Sequence, residues 1–246
     1  MSRCVSLLLL LLLCSLAHCQ TPQDYLHSLV DQKLLLRHFG DVLNAKLKVG
    51  HLQNIASTCD VAVLVRNAEW KKNKVKLGWE EIGTPWIAGK PHPRCPGVMM
   101  GHGIVQIEGF RPDESAESLA QSLSALLQTP EQYLAAAGVQ FDLPQQPVEG
   151  ELKEPEQPFT RAKALLTVDP TFSEPARRAK YQGTVKIALY VGADGRVYQP
   201  SVSRPLGMGL DEMALDVLPL WRLQPAYTQD QPIATPMSIE ISFNLY

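Results

Sequence analysis

Between Thr184 and Ser203, polar and apolar residues alternate on both sides of a single Asp-Gly pair, and no other stretch constrains the chain as much. Val185, Ile187, Leu189 and Val191 fall on one face, and Thr184, Lys186, Ala188 and Tyr190 on the other. That is the period of a half-buried strand. Asp194-Gly195 is a hairpin signal, because the turn needs a positive φ that Gly supplies at no steric cost. Val197 to Ser203 then returns antiparallel. The spacing next changes to that of a helix over 210–220, with Leu210, Met213, Ala214, Val217 and Leu220 on one face. Pro219 kinks or ends it. Thr235 to Asn244 alternates again as a final strand. This order predicts an α+β layer: a three-stranded antiparallel sheet with a packed helix.

The start of the chain reads as a leader. Arg3 precedes an apolar run from Val5 to Leu13, and Ala17-His18-Cys19 offers a small-x-small cleavage site, so residues 1–19 are expected to be a cleaved signal peptide. The run is shorter than the roughly 20 residues a membrane span needs. A lipid on Cys19 is the minor alternative. In either case the mature protein lies outside the cytoplasm.

A domain of mixed α and β structure is expected over 20–143. The spacing predicts a helix from Pro22 to Phe39, strands between Ala45 and Trp86, a loop over Gly89–Gly103 and a strand over Gly103–Phe110. Two helices follow, one opened by Asp113-Glu114-Ser115 and running to Leu127, the other by Thr129-Pro130-Glu131-Gln132 and ending at Gly138. Residues 144–158 (PQQPVEGELKEPEQP) form a Pro/Glu linker, extended over roughly 40–45 Å. The last domain is 159–246. A net charge of −2, with 20% charged residues, gives no electrostatic reason to bind nucleic acid or an anionic membrane.

Without the leader, two cysteines remain. Cys59 and Cys95 in an oxidising compartment read as one disulfide, worth about 3–4 kcal/mol by chain entropy. The rival reading is a zinc site, or a metalloenzyme, built on Cys59, His92, Cys95 and His102. Their spacing matches no compact finger. Gly97–Gly103 lacks the P-loop lysine, no Gly-x-Ser-x-Gly or H-E-x-x-H stretch is present, and His27, His38 and His51 are scattered. No cofactor is expected, and the protein reads as non-enzymatic.

The ordered set over 159–246 resembles the C-terminal domain of TonB, the periplasmic protein that grips outer-membrane transporters. Trp221-Arg222-Leu223-Gln224-Pro225-Ala226 is similar to the family's W-R/K-F-x-P-A corner. Asp169-Pro170-Thr171-Phe172-Ser173 stands where the family has Q-P-x-Y-P. Phe172 keeps the aromatic, Gly183 stands at the family's Gly before the first strand, and Asp169 and Ser173 depart from the pattern. The resemblance implies a periplasmic module that takes up an extended segment of another protein by strand addition. Outer-membrane transporters and a second copy of the chain are the candidate partners. With strands ordered second, first, third, the last one is an edge, and Thr235, Met237, Ile239, Ile241 and Phe243 mark it as the binding strand. Energy transduction for transport is the alternative, but it needs a permanent anchor and a long arm.

Overall fold

The computed structural model describes residues 21–38, 45–49, 59–71, 74–91, 102–111, 113–141, 143, 145–156 and 158–245. The expected leader lies outside them. The chain divides into two compact units, Met1–Glu81 with Arg94–Tyr133, and Ile82–Pro93 with Leu134–Tyr246. Residues 134–143 therefore group with the C-terminal part of the chain.

In the first unit, the opening helix spans Pro22–Leu29. Thr21 and Asp24 close a reciprocal capping box at its start, with Pro22 at the first helical position. The helix expected to reach Phe39 stops at Leu29. Val30 is extended, Asp31 takes a φ of 62°, and the Asp31 N–H donates to the Val65 carbonyl at 2.8 Å. The chain then forms β1, Lys33–Leu36, antiparallel to β3, Val61–Lys71, while β2 is Ala45–Val49. A Leu-Leu-Leu run fits a helix and a strand equally well, so pairing decides it. Here β3 supplies a partner that buries Leu35 and Leu36.

β4, Lys74–Ile87, neighbours β3, and its first part also pairs with β5, His102–Glu108. β5 carries β2 on its other side. The next helix is Ala116–Ser124, with the Ser115 hydroxyl accepting from the Ser118 N–H at 3.1 Å. It ends before the expected Leu127, because Leu127–Gln128 forms a short strand, β6, on β1. Leu26, Leu29, Leu119 and Leu123 of the two helices pack on Val63, Val65, Val75, Leu77 and Val105 of the sheet. Each such side chain contributes about 1.5–3 kcal/mol by leaving water. The helix Pro130–Ala136 has the expected cap: Thr129 N–H donates to Gln132 Oε1 at 2.9 Å, and Gln132 N–H to Thr129 Oγ1 at 3.3 Å.

In the second unit, Gly83–Ile87 at the end of β4 pairs with β7, Lys163–Pro170. A short helix, Glu174–Arg178, leads to β8, Gly183–Val191, and β9, Val197–Arg204. The helix Leu210–Val217 passes into a 3-10 turn, Leu218–Leu220, at Pro219. β10, Arg222–Gln224, pairs with β7. A small hairpin of β11, Ala226–Thr228, and β12, Gln231–Ile233, precedes β13, Thr235–Phe243. The order β13-β8-β9 makes a three-stranded antiparallel sheet, as the sequence predicts. Its inward residues Val185, Ile187, Leu189, Val191, Ile239, Ile241 and Phe243 form one core with Leu210, Ala214 and Leu218.

Candidate functional site

The sheet has two edges, and they differ. β9 slips register twice against β8, between Lys186 and Ile187 and between Ala188 and Tyr190. Gln199 there takes a φ of 46° and Pro200 follows it. Bulges and proline are the usual devices that stop an edge from recruiting another strand. β13 instead pairs with β8 without a slip from Thr235↔Val191 to Phe243↔Gly183. Among the described residues, β8 is the only strand paired with it.

The direction of each main-chain group follows from the alternation of an antiparallel ladder. The Ser201 and Ser203 hydroxyls of β9 donate to the carbonyls of Ala188 and Lys186, at 3.4 and 3.1 Å. The even-numbered residues of β8 therefore face β9, and the odd ones face β13. Ile187 opposes Ile239, so Thr235, Met237, Ile239, Ile241 and Phe243 use their main chain on β8. The side chains of Thr235, Ile239, Ile241 and Phe243 are also buried. The residues that turn main-chain groups away from the sheet are the alternate set: Pro236, Ser238, Glu240 and Ser242. Pro236 fits this assignment, because proline in a sheet sits where no ladder N–H is required. The expected strand is thus the edge, but the outward-facing residues are shifted by one from those the sequence singled out.

The family-motif residues build the support beneath this edge. Asp169 and Pro170 end β7 opposite Thr84 and Gly83. Phe172 meets Phe243 edge-on, and Ser173 caps the following helix through the Ala176 N–H at 3.2 Å. A side chain at Gly183 would meet Leu206 at 2.5 Å. The Trp221 indole, half-buried against the core, donates to the Val168 carbonyl at 3.2 Å. Arg222 is buried and donates to the carbonyls of Pro219 and Trp221 at 2.9 and 2.7 Å. Pro225 separates β10 from β11, and Ala226 is fully buried.

Asp194 does more than make a turn. Gly195, with a φ of 72°, takes the left-handed position of the hairpin, and its carbonyl accepts from the Leu223 N–H at 2.8 Å. The Asp194 carboxylate is 1% exposed and accepts from the Arg196 N–H at 3.0 Å, the Tyr198 hydroxyl at 2.6 Å and the Gln146 N–H at 3.1 Å. Burial first, then the hydrogen bond and charge of Asp194, push the Tyr198 phenol up to about 12. The Gln146 bond ties the Pro/Glu segment to the hairpin. Phe141 lies under the guanidinium groups of Arg196 and Arg222, at 5.6 and 6.0 Å, and Gln199 donates to the Val148 carbonyl at 3.2 Å. The start of the segment read as a free linker is docked on this module. Glu151, Leu152 and Glu154 then line a cavity of about 710 Å³ with Tyr190, Gln199 and Ser238 on the outward face of the sheet.

The first unit holds a polar cluster that the sequence did not announce. Asp60 Oδ1 accepts from the His38 N–H and faces His38 Nδ1, each at 2.8 Å, while Oδ2 accepts from the Tyr133 hydroxyl at 2.8 Å. Burial pushes the Asp60 carboxyl up, but these partners and Arg37 outweigh it and hold it below its ordinary value. Burial, then the Asp60 charge, pushes the Tyr133 phenol well up. Cys59 beside it is disulfide-bonded, which removes its thiolate as a metal ligand. His92 and Cys95 of the alternative zinc set lie outside the described residues, and His102 is exposed at the start of β5, opposite Glu80.

A small α+β module whose last strand is, among the described residues, paired on one side only has the form of a protein-recognition domain. Residues 168–245, about a third of the chain, match the family described as the Gram-negative bacterial TonB protein C-terminal. The family is non-enzymatic, and its members interact with other proteins, outer-membrane transporters among them, in the periplasm. No curated protein matches the chain. Among the described residues, no helix is long and apolar enough to cross a membrane.

Proposed function

We propose that this protein is an exported periplasmic binding protein that takes up extended segments of partner proteins along β13, outer-membrane transport proteins being the first candidates. The observation that carries the reading is the run of outward main-chain groups on β13, from the Pro236 carbonyl to Ser242, beside an uninterrupted nine-residue ladder. A visiting strand gains its affinity from these amides and carbonyls, and its selection from side chains at every second position. The leader over 1–19, the Cys59–Cys95 bridge and the division into 20–143, linker and 159–246 belong to the same reading. An exported, disulfide-stapled first domain followed by the recognition module describes a soluble binder better than a membrane-anchored energy transducer.

The test is a photo-crosslinking residue placed at Ser238 or Glu240 in the exported protein, with adducts identified by mass spectrometry. Outer-membrane proteins are expected among them. Glu240→Pro should abolish the adduct formed at Ser238 while leaving the circular dichroism of the fold intact, because only an outward N–H is lost. Ile239→Pro is the contrasting control: it breaks the ladder to β8 and lowers stability. Crosslinks confined to the protein's own chain would overturn the proposal.

A further inference from the structure

Resting on that reading, the surroundings of β13 narrow the kind of segment it takes. Pro236 has no N–H, so a visitor's full ladder of donors and acceptors covers Ser238 to Ser242 and thins out toward Pro236. At that same end, the chain following Val148 lines the open cavity of about 710 Å³ on the outward face of the sheet. A second cavity, of about 310 Å³, continues from it past Glu154 along Thr235–Ser238 and includes Arg161. Both cavities share Glu154, Pro236, Met237 and Ser238, so a segment leaving the edge at Pro236 runs into them.

The lining of the larger cavity is acidic, although Lys153 is exposed in the same stretch of chain. Glu151 and Glu154 line the larger cavity and no lysine or arginine does. Both carboxylates are exposed, and neither has an ion-pair partner among the described residues. Farther along the strand, Glu240 is already within 3.7 Å of Lys186, and Arg161 offsets Glu154 in the smaller cavity. Glu151 has no cation in the lining of either cavity, so the negative charge left over sits on one flank of the edge, beyond the point where main-chain pairing stops. Unpaired carboxylates beside a docking groove attract a cation and repel an anion, which sets preference and register more than total affinity.

We infer that the extended segment bound at β13 carries a lysine or arginine just outside its paired stretch, held over the cavity lined by Glu151 and Glu154. The backbone ladder supplies most of the binding, and the basic residue fixes which end of the segment lies at Pro236.

Two acetylated, amidated peptides test this against the full exported protein. Both contain a short alternating valine–threonine stretch; one is flanked at each end by lysine, the other by glutamate, and binding is read by fluorescence anisotropy. At low salt the lysine peptide is expected to bind about fivefold more tightly, the range of exposed ion pairs. The preference should vanish at about 0.5 M salt, where screening is nearly complete at these distances. The Glu151→Gln/Glu154→Gln variant should remove it too, without weakening the glutamate peptide. Equal binding, a preference for glutamate, or a lysine preference that survives the double variant would overturn the charge assignment and leave strand addition standing. Binding of neither peptide would overturn both.

Discussion

Phe172 stands edge-on to Phe243, with ring centroids 5.4 Å apart and ring planes at 80°. The contact joins the turn after β7 to the last residue of the edge strand, so it fixes where that strand ends. Phe172→Ala is expected to cost about 2–3 kcal/mol, below the range for a fully buried ring because Phe172 is only half-buried. Urea unfolding followed by tryptophan fluorescence measures it, and no loss of stability would mean the pair is not a support.

Gly195 is the tightest point of the hairpin. Besides its positive φ, an added Cβ would lie 2.1 Å from the Leu223 carbonyl oxygen. Gly195→Ala therefore combines left-handed strain of about 1–2 kcal/mol with a backbone clash of about 1–3 kcal/mol. Gly138 has a similar φ of 77° but open space around it, so Gly138→Ala should show the strain alone. The difference in unfolding midpoint between the two variants isolates the clash.

Tyr198 gives a spectroscopic handle on Asp194. Its phenol is raised in the fold, so the stability it contributes is complete below about pH 10, the unfolded value, and is lost as pH rises through about 12. Ultraviolet titration of tyrosinate should show late-titrating phenols, Tyr133 and Tyr198 among them, of which Tyr198→Phe removes one. Asp194→Asn should bring that titration toward its ordinary range, burial alone keeping it raised. It should also release the segment at Gln146, visible as faster protease cleavage between Gln146 and Glu156.

Asp60 makes the opposite pH prediction in the first unit. Its folded value lies below the ordinary 3.8, so its contribution is complete above about pH 4 and disappears as pH falls through that folded value. Asp60→Asn is expected to cost about 2–3 kcal/mol at neutral pH, because the His38 and Tyr133 bonds lose their charged acceptor. In the variant the acid limb of the stability curve should flatten. An unchanged limb would place the acid sensitivity elsewhere.

Hydrogen exchange reads the edge directly. The amides of Ser238, Glu240 and Ser242 are expected to exchange quickly, and those of Met237, Ile239 and Ile241 slowly, since only the latter donate to β8. Uniform protection along β13 would mean that its rim is already occupied.

Alternation at Thr184–Val191, the Asp-Gly turn and the helical spacing after Leu210 determined the three strands of the last sheet, the helix packed on it and their order, because period and turn chemistry act locally; β7, β10 and the hairpin of β11 and β12 carried no such signal. The cap at Thr129 was legible for the same reason. What the local pattern left open was settled by pairing. Leu34–Leu36 became a strand only because β3 offered it a partner, and the start of the Pro/Glu segment lies docked because Asp194 and the arginines over Phe141 receive it. The parity of β13 is the clearest case. Side-chain alternation identified its buried residues, but which amides face outward depends on the register with β8, and no single strand carries that information in its own sequence.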